Sequence, residues 1–158
     1  MSPNGDEADD LATFKGGLLI NMGTLTNESV SQYMEAITAY NQSSNPIVFD
    51  PVGAGATNIR IQAVKELMEK GYFDLIKGNE AEIRQVYGAD VIRQRGVDSG
   101  SSTLTEKEKA DLVKKLAFRE GESVRTVFCA GSAMLSDLNL YPMYRQATSF
   151  CLQAKLTI

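Results

Sequence analysis

The sequence predicts an α/β fold with three layers, in which helices cover a largely parallel sheet. Short apolar segments alternate along the chain with longer segments whose apolar residues recur at helical spacing. The short segments are apolar throughout, which is typical of parallel strands buried on both faces. Glycines stand at the ends of two helical segments, as expected where a helix stops and the chain turns back to the sheet.

The first part of the chain contains two predicted strands and the helix between them. Gly16–Gly23 is apolar and is predicted to be a buried strand. Thr26 is suited to a helix N-cap, and the helix is predicted to continue to about Asn41. A second strand is predicted over Pro46–Asp50. The apolar face of the helix consists of Val30, Tyr33, Met34 and Ile37.

The next two units repeat this order. Thr57 is predicted to cap a helix that ends at Gly71, a residue suited to the position after a helix C-terminus. Phe73–Lys77 is predicted to be the third strand, followed by a helix over Glu80–Tyr87 that ends at Gly88. The apolar stripe of the first of these helices consists of Ile59, Ala63, Val64, Leu67 and Met68.

The remaining sequence is less regular. Residues 89–104 are polar and rich in glycine and serine, which predicts a loop. Thr105 and Glu108 have the spacing of a capping box for a further helix. Val124–Ala130 is a fourth candidate strand, and residues 137–155 have only weak helical character.

The net charge of −4 comes entirely from four N-terminal acids, Asp6, Glu7, Asp9 and Asp10. The rest of the chain is balanced in charge, so no basic surface for nucleic acid is indicated. The acidic start is unlike a signal or transit peptide, and no apolar run approaches the roughly 18 residues of a membrane span. We therefore expect a cytoplasmic protein with neither nucleic-acid nor membrane partners.

The chain has no histidine and only two cysteines, Cys129 and Cys151. Without histidine, the Ser-His-Asp and Cys-His forms of nucleophilic catalysis and His-ligated zinc are excluded within this chain. The two cysteines show no metal or disulfide spacing and are expected to act as small apolar residues. A metal here would be a hard ion on carboxylates, and Mg²⁺ fits best.

Asp50 is the first candidate site residue, because it ends a predicted strand and precedes a proline, two glycines and a helix. Open parallel sheets bind ligands beyond the carboxyl ends of their strands, and helix N-termini bind anions. The position therefore predicts a site for a phosphate and its metal. The alternative is an Asp that only forms a turn. A dinucleotide motif is disfavoured because Asn58 replaces its third glycine, and the chain has no P-loop pattern.

Lys77, Asn79 and Glu82 lie at the end of the next predicted strand. A purely structural interpretation makes Asn79 a helix N-cap, with Glu82 completing a capping box. A functional interpretation has Lys77 and Asn79 contact nucleotide phosphates while Glu82 shares a metal. Because Asp50 ends the adjacent strand, the two strand ends are expected to present these groups to one crevice.

Four motifs together resemble the hydroxyethylthiazole kinases, a ribokinase-like family of thiamine biosynthesis and salvage. They are Asn21–Thr26, Asp50–Thr57, Lys77–Ile83 and Gly96–Ser99, in the family's order and spacing. The resemblance covers about residues 1–120 and is strongest to the kinase half of fungal bifunctional enzymes, whose other half is a thiamine-phosphate synthase. It implies a ribokinase-like fold that is incomplete in this chain.

The resemblance implies transfer of the γ-phosphate of ATP to the hydroxyl of 4-methyl-5-(2-hydroxyethyl)thiazole, with Mg²⁺. Met1 matches the residue that contacts the thiazole, while Asp50 and Glu82 match the acids around the metal and phosphates, with Asp50 expected to be catalytic. Lys77 and Asn79 match positions that bind ATP, and lysine there keeps the charge but lacks the fork of an arginine. Family subunits form trimers, so a homo-oligomer is expected.

The sequence departs from the family after Glu122, where the Thr-Gly contact and the Gly-x-Gly-Cys turn that forms an anion hole are not found. We therefore predict part of a kinase domain over 1–122 and a divergent tail over 123–158, with the chain shortened at both ends. Without an anion hole we expect poor or no kinase activity from the chain alone. The alternatives are another ribokinase-like small-molecule kinase, a nicotinamide-hydrate repair dehydratase, and a non-catalytic partner of intact kinase subunits.

Overall fold

The structure is a computed structural model that describes residues 7–88, positions 104, 105, 107, 108, 111 and 112, and the backbone of 124–129. Met1, the predicted loop up to residue 103 and the predicted tail from residue 130 lie outside the described residues. The elements are α1 (Ala8–Thr13), β1 (Leu18–Asn21), α2 (Asn27–Gln42), β2 (Ile47–Asp50), α3 (Asn58–Lys70), β3 (Phe73–Gly78), α4 (Glu80–Tyr87) and β4 (Val124–Cys129).

The four strands form a parallel sheet in the order β1-β2-β3-β4, which confirms the predicted α/β class. In the register of β1 and β2, Leu18 lies beside Ile47 and Asn21 lies beside Asp50. Crossovers between adjacent parallel strands are almost always right-handed, so α2 and α3, which connect β1 to β2 and β2 to β3, are expected on the same face of the sheet. In agreement, α2 contacts α3 and α3 contacts α4.

The residues of β1 alternate between buried and exposed. Leu19 is 40% exposed, although Leu18 and Ile20 on either side of it are buried. The sequence predicts that both faces of the sheet are covered. Within the described residues, β1 is covered on only one face. In the part of the chain that the structure describes, no helix has the length and apolar character needed to cross a bilayer.

The core lies between the sheet and its helices. Phe49 of β2 and Phe73 of β3 are fully buried and stack, with their ring centroids 4.9 Å apart. Such offset aromatic pairs add stabilisation beyond the area they bury. Ile59 was predicted to belong to the buried stripe of α3, but it lies in the first helical turn and is 40% exposed. The other four residues of that stripe are buried as predicted.

The helix ends test the predicted caps. Thr26 and Asn79 are N-caps as predicted, and each forms a capping box with the third residue of the helix that follows. Gly88 ends α4 in the left-handed conformation, with φ of 80°. Thr57 is the N-cap of α3, yet its side chain makes no capping hydrogen bond within the described part. Thr57 therefore lies at the predicted N-cap position, but the predicted cap by its side chain is wrong.

The first helix, α1, was not predicted, because its acids were assigned to a charged N-terminal segment. Ala8 and Ala12 stand one helical turn apart and are both buried, and α1 contacts α2. Asn45, itself buried, donates from Nδ2 to the carbonyl oxygen of Ala12 at 2.6 Å. Two small apolar residues and one long-range hydrogen bond thus hold a helix whose first turn carries two acids, Asp9 and Asp10.

The predicted capping box at Thr105 and Glu108 is confirmed. The backbone nitrogen and the hydroxyl of Thr105 each donate to Glu108 Oε2 at 2.8 Å, and the Glu108 nitrogen donates back to Thr105 Oγ1 at 3.3 Å. The bond from the Thr105 backbone, followed by that from its hydroxyl, lowers the pKa of the Glu108 carboxyl.

Gly71 follows the last residue of α3 as predicted, but its conformation is extended, with φ of −96° and ψ of 149°, and not the left-handed one in which glycine often ends a helix. Crowding accounts for the glycine instead. A Cβ added there would lie 2.8 Å from the carbonyl oxygen of Leu67 and 2.8 Å from the Phe73 ring. The missing side chain is what lets the end of α3 lie directly against the core aromatic that begins β3.

Gly71→Ala is therefore expected to destabilise the chain by about 2 kcal/mol, because neither a backbone carbonyl nor a buried ring can move aside freely. Urea denaturation followed by circular dichroism measures the loss. Gly16→Ala is the matched control, since no described atom lies within 4 Å of the Cβ it would add, and it should change stability by less than about 0.5 kcal/mol. Equal losses for the two variants would contradict the crowding explanation.

Candidate functional site

Three polar side chains meet at the carboxyl ends of β1, β2 and β3. Asn21 and Asp50 are the last residues of their strands and are register partners, while Lys77 precedes the last residue of β3. Asn21 Nδ2 and Lys77 Nζ both donate to Asp50 Oδ2, each at 3.0 Å. The structure thus brings Asp50 and Lys77 into direct contact, as their places at adjacent strand ends predict.

Asp50 is held through one of its two carboxylate oxygens. Its side chain is 14% exposed, whereas that of Lys77 is 51% exposed. Among the described residues, the side-chain hydrogen bonds of Asp50 fall on Oδ2. The carboxylate is therefore oriented by its neighbours, and Oδ1 has no side-chain partner within the described part of the chain, which leaves its lone pairs for a ligand.

Asn21 determines how Asp50 is oriented. Its Oδ1 accepts a hydrogen bond from the backbone nitrogen of Gly23 at 2.8 Å, so the amide nitrogen is the atom that faces Asp50. The hydroxyl of Tyr33 donates to the backbone oxygen of Asn21 at 3.0 Å. Burial raises the pKa of the Tyr33 phenol, which keeps it protonated and able to donate.

Glu82 is buried, and its carboxylate lies between two backbone amides. Oε1 accepts from the nitrogen of Gly53 at 2.9 Å, and Oε2 accepts from the nitrogen of Asn79 at 2.8 Å. Gly53 belongs to the turn after β2 and has φ of 67°, a conformation that favours glycine. Glu82 therefore ties the turn after β2 to the start of α4. Its capping role is confirmed, and its role at a metal stays a prediction.

Arg60 is part of the site although the sequence did not single it out. Its Nη1 donates to the carbonyl oxygens of Met22 and of Val52, the latter at 2.7 Å, and its Nη2 donates to that of Gly23 at 2.8 Å. The guanidinium thus joins the segment after β1 to the turn after β2. One signal was available: Arg60 lies in the first turn of α3, where a positive charge opposes the helix dipole and needs another partner.

The arrangement suits a phosphate ligand that brings its own divalent cation. The described residues contain no group of three or more His, Cys, Asp or Glu side chains that could hold a metal ion. Mg²⁺ at phosphate-binding sites, however, commonly uses only one or two carboxylates and completes its coordination with water and phosphate. Asp50 supplies such a carboxylate, and Lys77 places a half-exposed positive charge beside it. The donor set therefore fits Mg²⁺ together with a nucleotide.

The two grooves found on the described surface lie away from this edge of the sheet. One, of about 310 Å³, lies between the C-terminal ends of α2 and α3 and is lined in part by Thr38 and Tyr72. The other, of about 480 Å³, lies between α1 and α2. Neither is lined by Asp50 or Lys77, so these two grooves are separate from the polar groups at the strand ends.

Sequential parallel strands with a carboxylate and a lysine at their carboxyl ends define this chain as an α/β protein whose candidate site lies at the strand ends. The structure of a hydroxyethylthiazole kinase from Pyrococcus horikoshii OT3 is similar to it, with a TM-score of 0.51 and 34% identity over 56% of this chain and 34% of that one. The model of the hydroxyethylthiazole kinase family matches residues 1–137, and the chain belongs to this family. The match continues past Glu122, where the motif resemblance ended.

Curated relatives give the same family. A hydroxyethylthiazole kinase from Carboxydothermus hydrogenoformans is 36% identical over 115 residues, which are 73% of this chain and 43% of the relative. A probable thiamine biosynthetic bifunctional enzyme from Schizosaccharomyces pombe is 38% identical over 99 residues, 63% of this chain and 18% of the relative. The chain thus spans less than half the length of these relatives.

Proposed function

We propose that this chain provides the phosphate-facing part of a kinase site that transfers the γ-phosphate of ATP to the hydroxyl of 4-methyl-5-(2-hydroxyethyl)thiazole. The 3.0 Å contact between Lys77 Nζ and Asp50 Oδ2 carries the proposal. It places a cation for phosphate oxygens beside a carboxylate with an unused oxygen, at the sheet edge where α/β proteins bind ligands. Membership of the hydroxyethylthiazole kinase family supports this substrate.

Each residue has a proposed role. Phosphoryl transfer depends on positioning and on the compensation of charge. Asp50 Oδ1 accepts the hydrogen bond of the substrate hydroxyl and orients that oxygen toward the phosphate. Lys77 and the Asn79 carboxamide bind the phosphates of ATP. Asp50, with Glu82 as the second acid, would hold Mg²⁺, which would supply positive charge to the phosphate oxygens when bound.

The proposal extends to parts of the protein beyond this edge. Met1 is proposed to contact the thiazole, and the protein is proposed to act in the cytoplasm as a homo-oligomer, a trimer by family analogy. The division into a kinase part over 1–122 and a divergent tail over 123–158 is proposed with it.

Calorimetry with Mg·ADP tests the nucleotide part of the proposal. The wild-type chain should bind Mg·ADP, and Asp50→Asn should weaken that binding about tenfold, because the metal loses its carboxylate. Lys65→Met is the matched control, since Lys65 is 69% exposed on α3 and pairs weakly with Glu69 at 4.0 Å. Failure of the wild-type chain to bind Mg·ADP, or an equal loss in the control, would count against the proposal.

A panel of small-molecule ligands tests the substrate. The thiazole alcohol should bind more tightly than a hydroxymethylpyrimidine, which another ribokinase-like kinase would take, and more tightly than a hydrated nicotinamide dinucleotide, which a repair dehydratase would take. A different preference would redirect the assignment within the ribokinase-like class.

A further inference from the structure

Two donors converge on one oxygen at the candidate site, and they differ in how freely they can leave it. Asn21 is short, and its own carboxamide oxygen is anchored by the nitrogen of Gly23 at 2.8 Å. Lys77 is long, half exposed, and reaches Asp50 Oδ2 at 3.0 Å through a flexible chain. An ion pair with so exposed a partner is weak and exchanges readily. Lys77 is thus the donor of the pair that a ligand can displace.

Lys77 also differs from four other described cations. Lys65 and Lys70 pair with acids along the surface of α3, and Arg84 pairs with Glu80 on α4. The guanidinium of Arg60 is occupied by three backbone carbonyls. Among these described cations, Lys77 is the one whose carboxylate partner stands at the strand ends where a phosphate is proposed to bind.

We propose that Lys77 acts as a displaceable counter-ion, which pairs with Asp50 before nucleotide binds and moves to a phosphate of the nucleotide when it arrives. Asp50 Oδ2 then keeps its hydrogen bond from Asn21 and has room to bind a divalent cation. Nucleotide and cation binding are therefore coupled through one side chain, and the coupling is reciprocal. This inference rests on the proposed function, because it requires a nucleotide phosphate at Lys77.

The exchange makes an unusual prediction for nucleotide binding without metal. With Asp50 present, ADP must break the Lys77–Asp50 pair before it gains the lysine, so Asp50→Asn should strengthen metal-free ADP binding, by about three- to tenfold. The same variant should weaken Mg·ADP binding, as stated above. Asp50→Asn should therefore raise ADP affinity in metal-free buffer, where Asp50 competes for Lys77. It should lower ADP affinity in Mg²⁺ buffer, where Asp50 holds the cation.

Simple repulsion between the Asp50 carboxylate and the phosphates would also strengthen ADP binding in Asp50→Asn, so a double-mutant cycle is needed. ADP affinity is measured by calorimetry in EDTA for the wild type, Asp50→Asn, Lys77→Met and the double variant. If Lys77 moves from Asp50 to the phosphate, Asp50→Asn should strengthen ADP binding when Lys77 is present. In the Lys77→Met variant, the same substitution should change ADP affinity less than twofold. Thermal melts of all four variants establish that they fold.

The outcomes separate the two proposals. If Asp50→Asn raises ADP affinity equally with and without Lys77, the cause is plain charge repulsion, and the exchange is overturned. The exchange is also overturned if Asp50→Asn gives no gain in affinity when Lys77 is present. If the wild-type chain binds ADP neither with Mg²⁺ nor in EDTA, the proposed function fails and the exchange fails with it. Binding of Mg·ADP that weakens in Asp50→Asn, without the metal-free gain, keeps the proposed function and rejects the exchange alone.

Discussion

Glu82→Ala is expected to destabilise the folded chain by about 4 kcal/mol. Glu82 is only 5% exposed, and its two carboxylate oxygens accept hydrogen bonds from the backbone nitrogens of Gly53 and Asn79. Alanine leaves both donors without their partner; the Gly53 nitrogen is buried and the Asn79 nitrogen is partly buried, and an unsatisfied buried donor costs about 1–3 kcal/mol. The lost packing of the side chain stem adds to this cost.

Glu82→Gln separates the two hydrogen bonds from the packing. Glutamine has nearly the same shape but only one acceptor oxygen, so one of the two amides loses its partner, and about 2 kcal/mol should be lost. Glu69→Gln is the control, because its side chain is 61% exposed on α3, and it should stay within about 0.5 kcal/mol of wild type. Denaturant unfolding measures all three variants. A Glu82→Gln variant as stable as wild type would show that the carboxylate is not needed to join the two segments.

Arg60→Met is expected to cost about 3 kcal/mol, because three carbonyl oxygens lose a charged donor at once. Hydrogen bonds to charged groups contribute about 1.5–3 kcal/mol each, and the three are not additive because they share one side chain. Methionine keeps most of the apolar stem of arginine. Its effect therefore reports the guanidinium and little of the packing.

Arg60→Lys sharpens this second prediction. A lysine keeps the positive charge but cannot reach three carbonyls with the geometry of a planar fork, so it should recover only about 1 kcal/mol of the loss. Amide chemical shifts of Gly23 and Gly53 should change in both variants, since Arg60 joins the segments that contain them. Lys70→Met on the exposed side of α3 should leave those shifts unchanged. Full recovery by lysine would mean that charge, and not the fork, holds the segments together.

Most of the fold could be predicted from the sequence because its strands and helices have strong periodic signals. The apolar run before Asp50 indicates a strand, and the helical stripe that ends near Met68 indicates a helix. Both elements form in the folded protein where the local sequence predicts them. The first helix was missed because Ala8 and Ala12 are too small to make a clear stripe beside acidic neighbours. The extended end of α3 at Gly71 depends on Phe73, a contact that a helix-capping rule does not consider.

The candidate site was predictable in part for a different reason. Parallel strands place their carboxyl ends together, so Asp50 and Lys77 could be expected at one edge from strand positions alone. The contact between Glu82 and Gly53 joins residues far apart in sequence, and capping rules account only for the other oxygen of Glu82. Backbone carbonyls have no signature in sequence, so the three partners of Arg60 could not be foreseen. Their discovery required the folded arrangement of two neighbouring segments.

The sequential strand order has a consequence for how the site can be divided. Asn21, Asp50, Arg60, Lys77 and Glu82 come from three successive strand–helix units of one uninterrupted stretch. Their contacts close within one unit or between neighbouring units, and those between units join residues 27 to 38 positions apart. A break in the chain between any two of these units would therefore separate bonded partners. A chimeric protein that keeps these contacts must take the three units together.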